Sequence, residues 1–301
     1  MNNKLLDIFA NFNIDSLERL KRMKDSFNSF YNLELINKWV INIRGEFKAE
    51  AKKFLKKKLK KKIIFFNLNS KNGWFHDSRE MVGSLKSDHI FFWVEDHIFI
   101  NKIIYLEKII LDIKKNNLDF FSYSWFHKGN NIKSIKNLGF NQTKNIYYAN
   151  YSPAKHKKRL QIAKNKKLIA MTYIVSCPSI FSRNLFLKLI TKKDPLIPRW
   201  PKITPFDMEK QEDDLHWLPY KIGFSKKELF VSIDDDHDQK NYSLISRKIY
   251  PNRVNRKKMI EIRLSGNKNQ KKIIYNLNNT YYIRYKAKVI SILNKIYSHI
   301  L

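Results

Sequence analysis

Between residues 5 and 124, short apolar runs alternate with amphipathic helical patterns, and this alternation constrains the fold more than any other feature of the chain. The apolar runs are residues 5–9, 38–43 (KWVINI), 62–67 (KIIFFN), a run ending at Glu95, and 118–124 (LDFFSYS). Between them, residues 15–31 place Leu17, Leu20, Met23, Phe27 and Phe30 on one helical face. Asp15 and Glu18 have the spacing of a capping box at its start. Residues 46–59 carry Phe47, Ala51, Leu55 and Leu59 at four-residue spacing, and residues 78–85 read as a short helix. Residues 101–116 present Ile103, Ile104, Leu106, Ile109, Ile110 and Ile113. Strands joined by helices of this length predict a parallel sheet covered on both faces.

After Phe126 the regularity fades. Residues 128–170 are polar and basic, 171–176 (MTYIVS) read as a strand, and a helix is expected near 183–190. Four prolines mark 191–205 as loop, 230–237 read as a β segment with an acidic end, 248–272 are strongly basic, and 281–301 predict a terminal helix.

Hydrophobic residues make up 43% of the 301 and aromatics 14%, enough for a real core despite a formal charge of +32. The single cysteine, Cys177, rules out an internal disulfide framework and a cysteine-based zinc site, and reads as a small buried residue. No run of about 18 uncharged apolar residues is present, so no membrane span is expected, and the N-terminus does not read as a signal peptide. The charge invites a nucleic-acid reading, although a chain this rich in Lys, Asn and Ile also has the composition an AT-rich genome produces. Phosphate-loop, GxGxxG, HExxH and GxSxG motifs are absent.

Three clusters carry candidate chemistry. His89-Ile-Phe-Phe-Trp-Val-Glu95-Asp96-His97 is an apolar run ending in two carboxylates and an imidazole. Acids beyond the carboxyl end of a strand can hold a divalent cation, and the cation a diphosphate; the plainer reading is a strand and a polar loop. Gln211-Glu212-Asp213-Asp214 could supply a general base or simply an acidic first turn of a helix. Asp234-Asp235-Asp236-His237 could ligate a metal or form an acidic turn balancing the basic tail. The lysine run 52–62 reads as a solvated helix face, with contact to an anionic membrane as the functional alternative. Trp74, Trp93 and Trp125 could stack on sugar rings or belong to the core.

The order of these elements over roughly residues 5–220 resembles glycosyltransferase family 2 and its GT-A nucleotide-sugar-binding fold. Asn11-Phe12-Asn13 and the helix after it resemble the family's opening strand–turn–helix. Phe92 to Asp96 resembles the strand ending in the family's metal-binding Asp-x-Asp, with either Val94 and Asp96 or Glu95 and His97 at the two acidic positions. Val175 to Arg183 is similar to the segment preceding the acceptor site, and Glu212-Asp213-Asp214 resembles the motif that carries the catalytic base. The family usually has acidic residues after its second strand; this chain has Asn42, Arg44 and Gly45 there.

The resemblance implies a mixed, mostly parallel α/β sheet with helices on both faces. Residues 1–245 would form the transferase domain (1–126 nucleotide-sugar half, 127–245 acceptor half), followed by a basic extension, 246–301, ending in a helix. It implies metal-assisted, inverting sugar transfer from a nucleotide-sugar donor to an acceptor hydroxyl in glycan or cell-envelope polysaccharide synthesis. Asp213 and Asp214 would be catalytic, Glu95, Asp96 and His237 would hold Mn²⁺ or Mg²⁺, and Asn11, Asn13, Asn42 and Arg44 would meet the donor. Glu212, Ser179 and Arg183 would lie on the acceptor side. Partners would be the donor and a glycan or lipid-linked acceptor, with no specific nucleic acid. The expected location is cytoplasmic, extending to peripheral contact at the inner face of a membrane. The alternatives are a basic nucleic-acid-binding protein and a non-catalytic protein that keeps the fold.

Overall fold

The computed structural model describes residues 5–71, 73–122, 139–165, 174, 176–191, 218–234 and 242–251. Its elements in order are β1 (Leu6–Asn13), α1 (Leu17–Phe30), β2 (Ile36–Arg44), α2 (Lys48–Leu59), a 3₁₀ turn (Lys60–Lys62) and β3 (Ile63–Phe66). Next come α3 (Trp74–Val82), β4 (His89–Phe92), β5 (His97–Phe99), α4 (Ile103–Lys115) and β6 (Phe120–Ser122). The later elements are β7 (Asn141–Gln142), β8 (Ile146–Tyr151), α5 (Pro153–Asn165), β9 (Ser179–Ser182), α6 (Arg183–Thr191), β10 (Tyr220–Ser225) and β11 (Phe230–Ser232).

Among the described residues, nine strands form one sheet in the order β3-β2-β1-β4-β9-β6-β10-β8-β7. β1 pairs in parallel with β2 and β4, β2 with β3, and β6 with β10. β9 runs antiparallel between β4 and β6, and β8 antiparallel between β10 and β7. The sheet is therefore mostly parallel, with β8 and β9 reversed. β5 and β11 form a separate antiparallel pair. The apolar faces of α1, α2 and α4 share one core layer with Ile8, Ala10, Trp39 and Ile41. Those of α3 and α6 share another with Phe9, Val40, Ile90 and Phe92. Alternate residues of β1 thus enter opposite layers, as a strand buried on both faces requires.

Local patterning accounts for most elements. Leu20, Met23, Phe27 and Phe30 of α1 are buried as their spacing predicts, but Leu17 is 59% exposed. Leu17 is the first helical residue and lies past the end of the packed stripe. The cap is Ser16, whose side chain accepts from the Arg19 amide, so the capping box expected at Asp15 is displaced by one residue. Trp93 is core. Its ring meets Phe12 edge-on at 4.7 Å and Trp39 at 5.5 Å, and its indole N–H donates to Ser26 Oγ at 2.9 Å. Trp74 is buried too, its indole N–H donating to the Asn11 carbonyl at 3.1 Å. Trp125 lies outside the described residues.

The structure corrects the sequence reading in its second half. The polar stretch 128–170 holds the hairpin β7–β8 and helix α5. The strand expected at 171–176 lies mostly outside the described residues; the strand described in this region is Ser179–Ser182, running antiparallel. β10 (Tyr220–Ser225) was not anticipated either, although Tyr220, Ile222 and Phe224 alternate with Lys221, Gly223 and Ser225 over its six residues. Among the described residues no helix is long and apolar enough to cross a membrane.

Candidate functional site

β1 leads to β2 on one side and is flanked by β4 on the other. A crevice outside the carboxyl ends of strands, where the order reverses, is where open α/β sheets bind ligands. At this place the chain puts Asn13, Arg44, Glu95 and Asp96. The Trp93 amide still bonds the Phe9 carbonyl at 2.9 Å, which keeps the chain in line with β4 for one residue beyond Phe92. Glu95 and Asp96 then occupy the turn before β5. The Asp96 carbonyl accepts from the Ile233 amide at 2.8 Å, so the end of β11 is stitched beside it.

The two carboxylates differ. Glu95 is only 14% exposed and faces Arg19 Nη1 at 3.7 Å. Burial first, and the charge of Asp96 second, push its pKa up from 4.5 to about 7. The Asp96 side chain is 41% exposed, and His97 Nδ1 meets its Oδ1 at 2.7 Å. Burial would raise Asp96, but the charge and hydrogen bond of His97, with Arg19 and Arg22 behind, outweigh it and hold the carboxyl below the ordinary aspartate range. Arg19 beside Glu95 thus does not offset its burial, and Glu95 holds a proton more readily than Asp96.

Arginines surround it. Arg19 also donates to the Asn13 carbonyl at 2.8 Å. Arg22 bonds Glu18 at 3.0 Å and Asp234 at 2.6 Å. Arg44, at the end of β2, is half-buried, and among the described residues its buried Nε has no hydrogen-bond partner. Burial lowers its pKa, opposed by the attraction of Asp77 and Glu95. An arginine N–H taken out of water without an acceptor is costly, and an anionic ligand oxygen would satisfy it. Asp77 is itself held by the Ser70 amide at 2.8 Å and the Ser70 hydroxyl at 3.1 Å.

Other expected donor contacts are sealed. Asn42 is fully buried; it donates to Asn11 Oδ1 at 3.1 Å and the Leu68 carbonyl at 3.2 Å, and accepts from the Leu68 amide at 2.9 Å. Asn11 donates in turn to Ser78 Oγ at 3.3 Å and to the Trp74 carbonyl at 3.4 Å. These two amides clamp β1, β2 and α3 beneath the site, and neither is presented to a ligand. Asn13 is half-exposed, bonded to Asp15 at 3.2 Å, and remains available.

The acceptor-side expectations fare differently from one another. Ser179 pairs with Phe92 at the right end of the sheet, but it is fully buried with its hydroxyl on the Cys177 carbonyl at 2.8 Å. Arg183 follows the residue paired with His89, and its amide bonds the Asp88 carbonyl, so it stands at the opposite, amino end of β4. β9 is antiparallel, so its four residues carry the chain about 10 Å away from the site. Glu212, Asp213, Asp214 and His237 lie outside the described residues. Among the described residues no three His, Cys, Asp or Glu side chains converge to hold a metal. Cys177 is buried, with Sγ 3.6 Å from the Ser122 hydroxyl.

Arg19 and Arg22 were not singled out by the sequence. Their spacing from Asp15 and Glu18 looks like ordinary helix-surface pairing, and only the turn after β4 and the end of β11 give them a site. A polar cavity of about 370 Å³, lined by Lys115, Asn117, Tyr148, Asn150 and Lys221 among others, lies at the amino edge of β10, away from these groups.

No protein-family model matches the sequence, and no curated protein matches it. Among solved structures, the chain is similar to residues 1–349 of S. aureus TarS, with a TM-score of 0.45 and 14% identity over 76% of this chain and 60% of that one. For the same TarS segment in complex with UDP-GlcNAc the TM-score is 0.46 and the identity 12%, over 77% of this chain and 59% of that one. For the complex with UDP the TM-score is 0.43 and the identity 13%, over 75% and 59%.

Proposed function

We propose that the protein is a glycosyltransferase that binds a nucleotide-diphosphate sugar in the crevice at the carboxyl ends of β1, β2 and β4 and transfers the sugar to an acceptor hydroxyl. The observation that carries this reading is the juxtaposition, at the strand-order reversal, of the largely covered Glu95 and the more open Asp96 with Arg44, whose Nε lacks an acceptor among the described residues. A carboxylate pair beside unsatisfied arginine suits a diphosphate bridged by a cation. The two acids fit a hard divalent ion: Glu95 is destabilised by burial and by Asp96, and Asp96 is open to solvent. Mn²⁺ or Mg²⁺ bound there would supply positive charge against the leaving diphosphate. Arg44 and Arg19 would contact phosphate oxygens, and Asn13 the donor's edge.

In the transfer, the acceptor hydroxyl would give its proton to a carboxylate as its oxygen bonds the anomeric carbon. The bond from that carbon to the diphosphate breaks, and the electron pair leaves with the nucleoside diphosphate. Asp213, with Asp214 as neighbour and Glu212 toward the acceptor, is the base we propose, on the family resemblance of the Gln211–Asp214 run. His237 is proposed as a further metal contact on the same basis. Residues 1–245 would form the transferase and 246–301 a basic extension. The protein would work in glycan or cell-envelope polysaccharide assembly, on the cytoplasmic side of a membrane.

Calorimetry with UDP, GDP and CDP sugars, with Mn²⁺ and in EDTA, tests the reading. Binding that needs the cation and drops at least about tenfold in Asp96→Ala and in Arg44→Ala is expected. Equal affinity in EDTA would remove the metal, and no binding of any nucleotide sugar would leave the non-catalytic alternative.

A further inference from the structure

α2 and the 3₁₀ turn after it carry nine lysines and one glutamate between residues 48 and 62. All of these lysines but Lys52 are exposed. Lys52 is partly covered, and burial first and the charge of Lys48 second lower its pKa. Lysine pairs four apart at 48/52, 52/56, 53/57 and 56/60 repel along the helix. None of these lysines has a carboxylate partner in the ion pairs formed among the described residues.

The fold does not require this charge. Among the described residues β3 is an edge strand, and lysines do guard edges, but one or two suffice for that. At the end of α2, Lys60 holds φ 53° and ψ −116°, a conformation that favours glycine over any residue with a Cβ. The chain thus keeps a cation where the backbone asks for glycine.

Three aromatic rings border the face, and each is already occupied by an ammonium group. Lys24 lies 5.5 Å from the Phe54 ring centre, Lys52 5.6 Å from Phe65 and Lys58 5.5 Å from Tyr31. Single-stranded nucleic acid binds by stacking bases on open aromatic faces between basic residues. Among the described residues these three rings already hold ammonium groups, and Ile64 is an exposed apolar side chain beside them. That combination matches a plane of phosphate headgroups.

We propose that the lysine face of α2 and the following turn is a docking surface for an anionic lipid membrane, which holds the protein at the bilayer without insertion. Each lysine near such a surface contributes roughly 1 kcal/mol, or about fivefold in affinity. The inference is independent of the glycosyltransferase reading.

The test is co-sedimentation of the full chain with phosphatidylcholine vesicles with and without 30% phosphatidylglycerol, at 0.1 M and 0.5 M salt. Binding to the anionic vesicles only, lost at high salt, is expected. Lys53→Gln, Lys57→Gln and Lys61→Gln together should weaken it on the order of 100-fold. The equal charge loss at Lys102, Lys108 and Lys114, all exposed on or beside α4, should weaken it far less. Lys60→Gly should raise the melting temperature while lowering vesicle affinity, which separates binding from folding. Equal losses in the two triple variants would mean that net charge alone acts, and would overturn the proposal. So would absence of vesicle binding, or a 20-nucleotide RNA bound more tightly than vesicles through the same three lysines.

Discussion

Replacing Gly45 by alanine should unfasten the loops that carry the candidate site. Gly45 holds φ +92°, and a Cβ built on it would lie 2.3 Å from the Ile14 carbonyl oxygen and 2.5 Å from its carbon. Ordinary contact begins near 3.4 Å, so about 1 Å of backbone movement is needed, with no flexible side chain to absorb it. Ile14 is fastened on both sides: its amide bonds the Arg44 carbonyl at 2.8 Å, and its carbonyl accepts from the Phe47 amide at 3.1 Å. The positive φ costs about 1–2 kcal/mol for a residue with a Cβ, and loss of one of those hydrogen bonds adds about 0.5–1.5 kcal/mol. The sum is roughly 2–3 kcal/mol before residual clash. At about 2–4 °C per kcal/mol, the melting temperature should fall by roughly 5–10 °C. Gly83→Ala is the control: nothing lies within 4 Å of its Cβ and φ is −58°, so the change should be neutral or stabilise by about 0.4–1 kcal/mol. Paired thermal melts decide it. If Gly45→Ala melts with the wild type, the two loops are not joined as described, and Arg44 is not held where the site needs it.

Glu95→Gln should stabilise the protein in EDTA at pH 8 and do little at pH 5. The folded-state pKa is raised from 4.5 to about 7, so the favourable contribution is present below 4.5 and lost as pH rises through 7. That amounts to about 3 kcal/mol at pH 8 and under about 1 kcal/mol at pH 5; a benefit equal at both pH values would refute the burial argument. Asn42→Ala should destabilise by about 2–4 kcal/mol, because it strands the Leu68 amide and carbonyl as well as Asn11; a chemical denaturation midpoint unchanged from wild type would show the clamp to be idle. Asp213→Asn should keep donor affinity while transfer, or donor hydrolysis by water, falls by about 10²–10⁴. If it retains full activity while Asp214→Asn is inactive, the base is one residue along.

The residues alone determined those features whose cause is local. The stripe Leu20, Met23, Phe27 and Phe30 and the four-residue spacing of Ala51, Leu55 and Leu59 required burial on one side, the apolar run into Glu95 required it on both faces of a strand, and all of them met it. Period and run length are properties of a segment, so they can be read before anything packs. The partners of polar side chains are not. Asn11 and Asn42 looked like ligand contacts, as amides after strands often do, and they became each other's partners because β1 and β2 lie in register as Asn11↔Asn42. Ser179 and Arg183, four residues apart in sequence, stand at opposite ends of β9, and the strand's reversed direction turns Arg183 away from the site. Arg22 found Asp234 across 212 residues. A carboxylate, amide or guanidinium is spelled the same way whether it meets water, a ligand or a distant strand, and only the tertiary approach of the chain decides which, because desolvation penalises whichever of these groups is left without a partner.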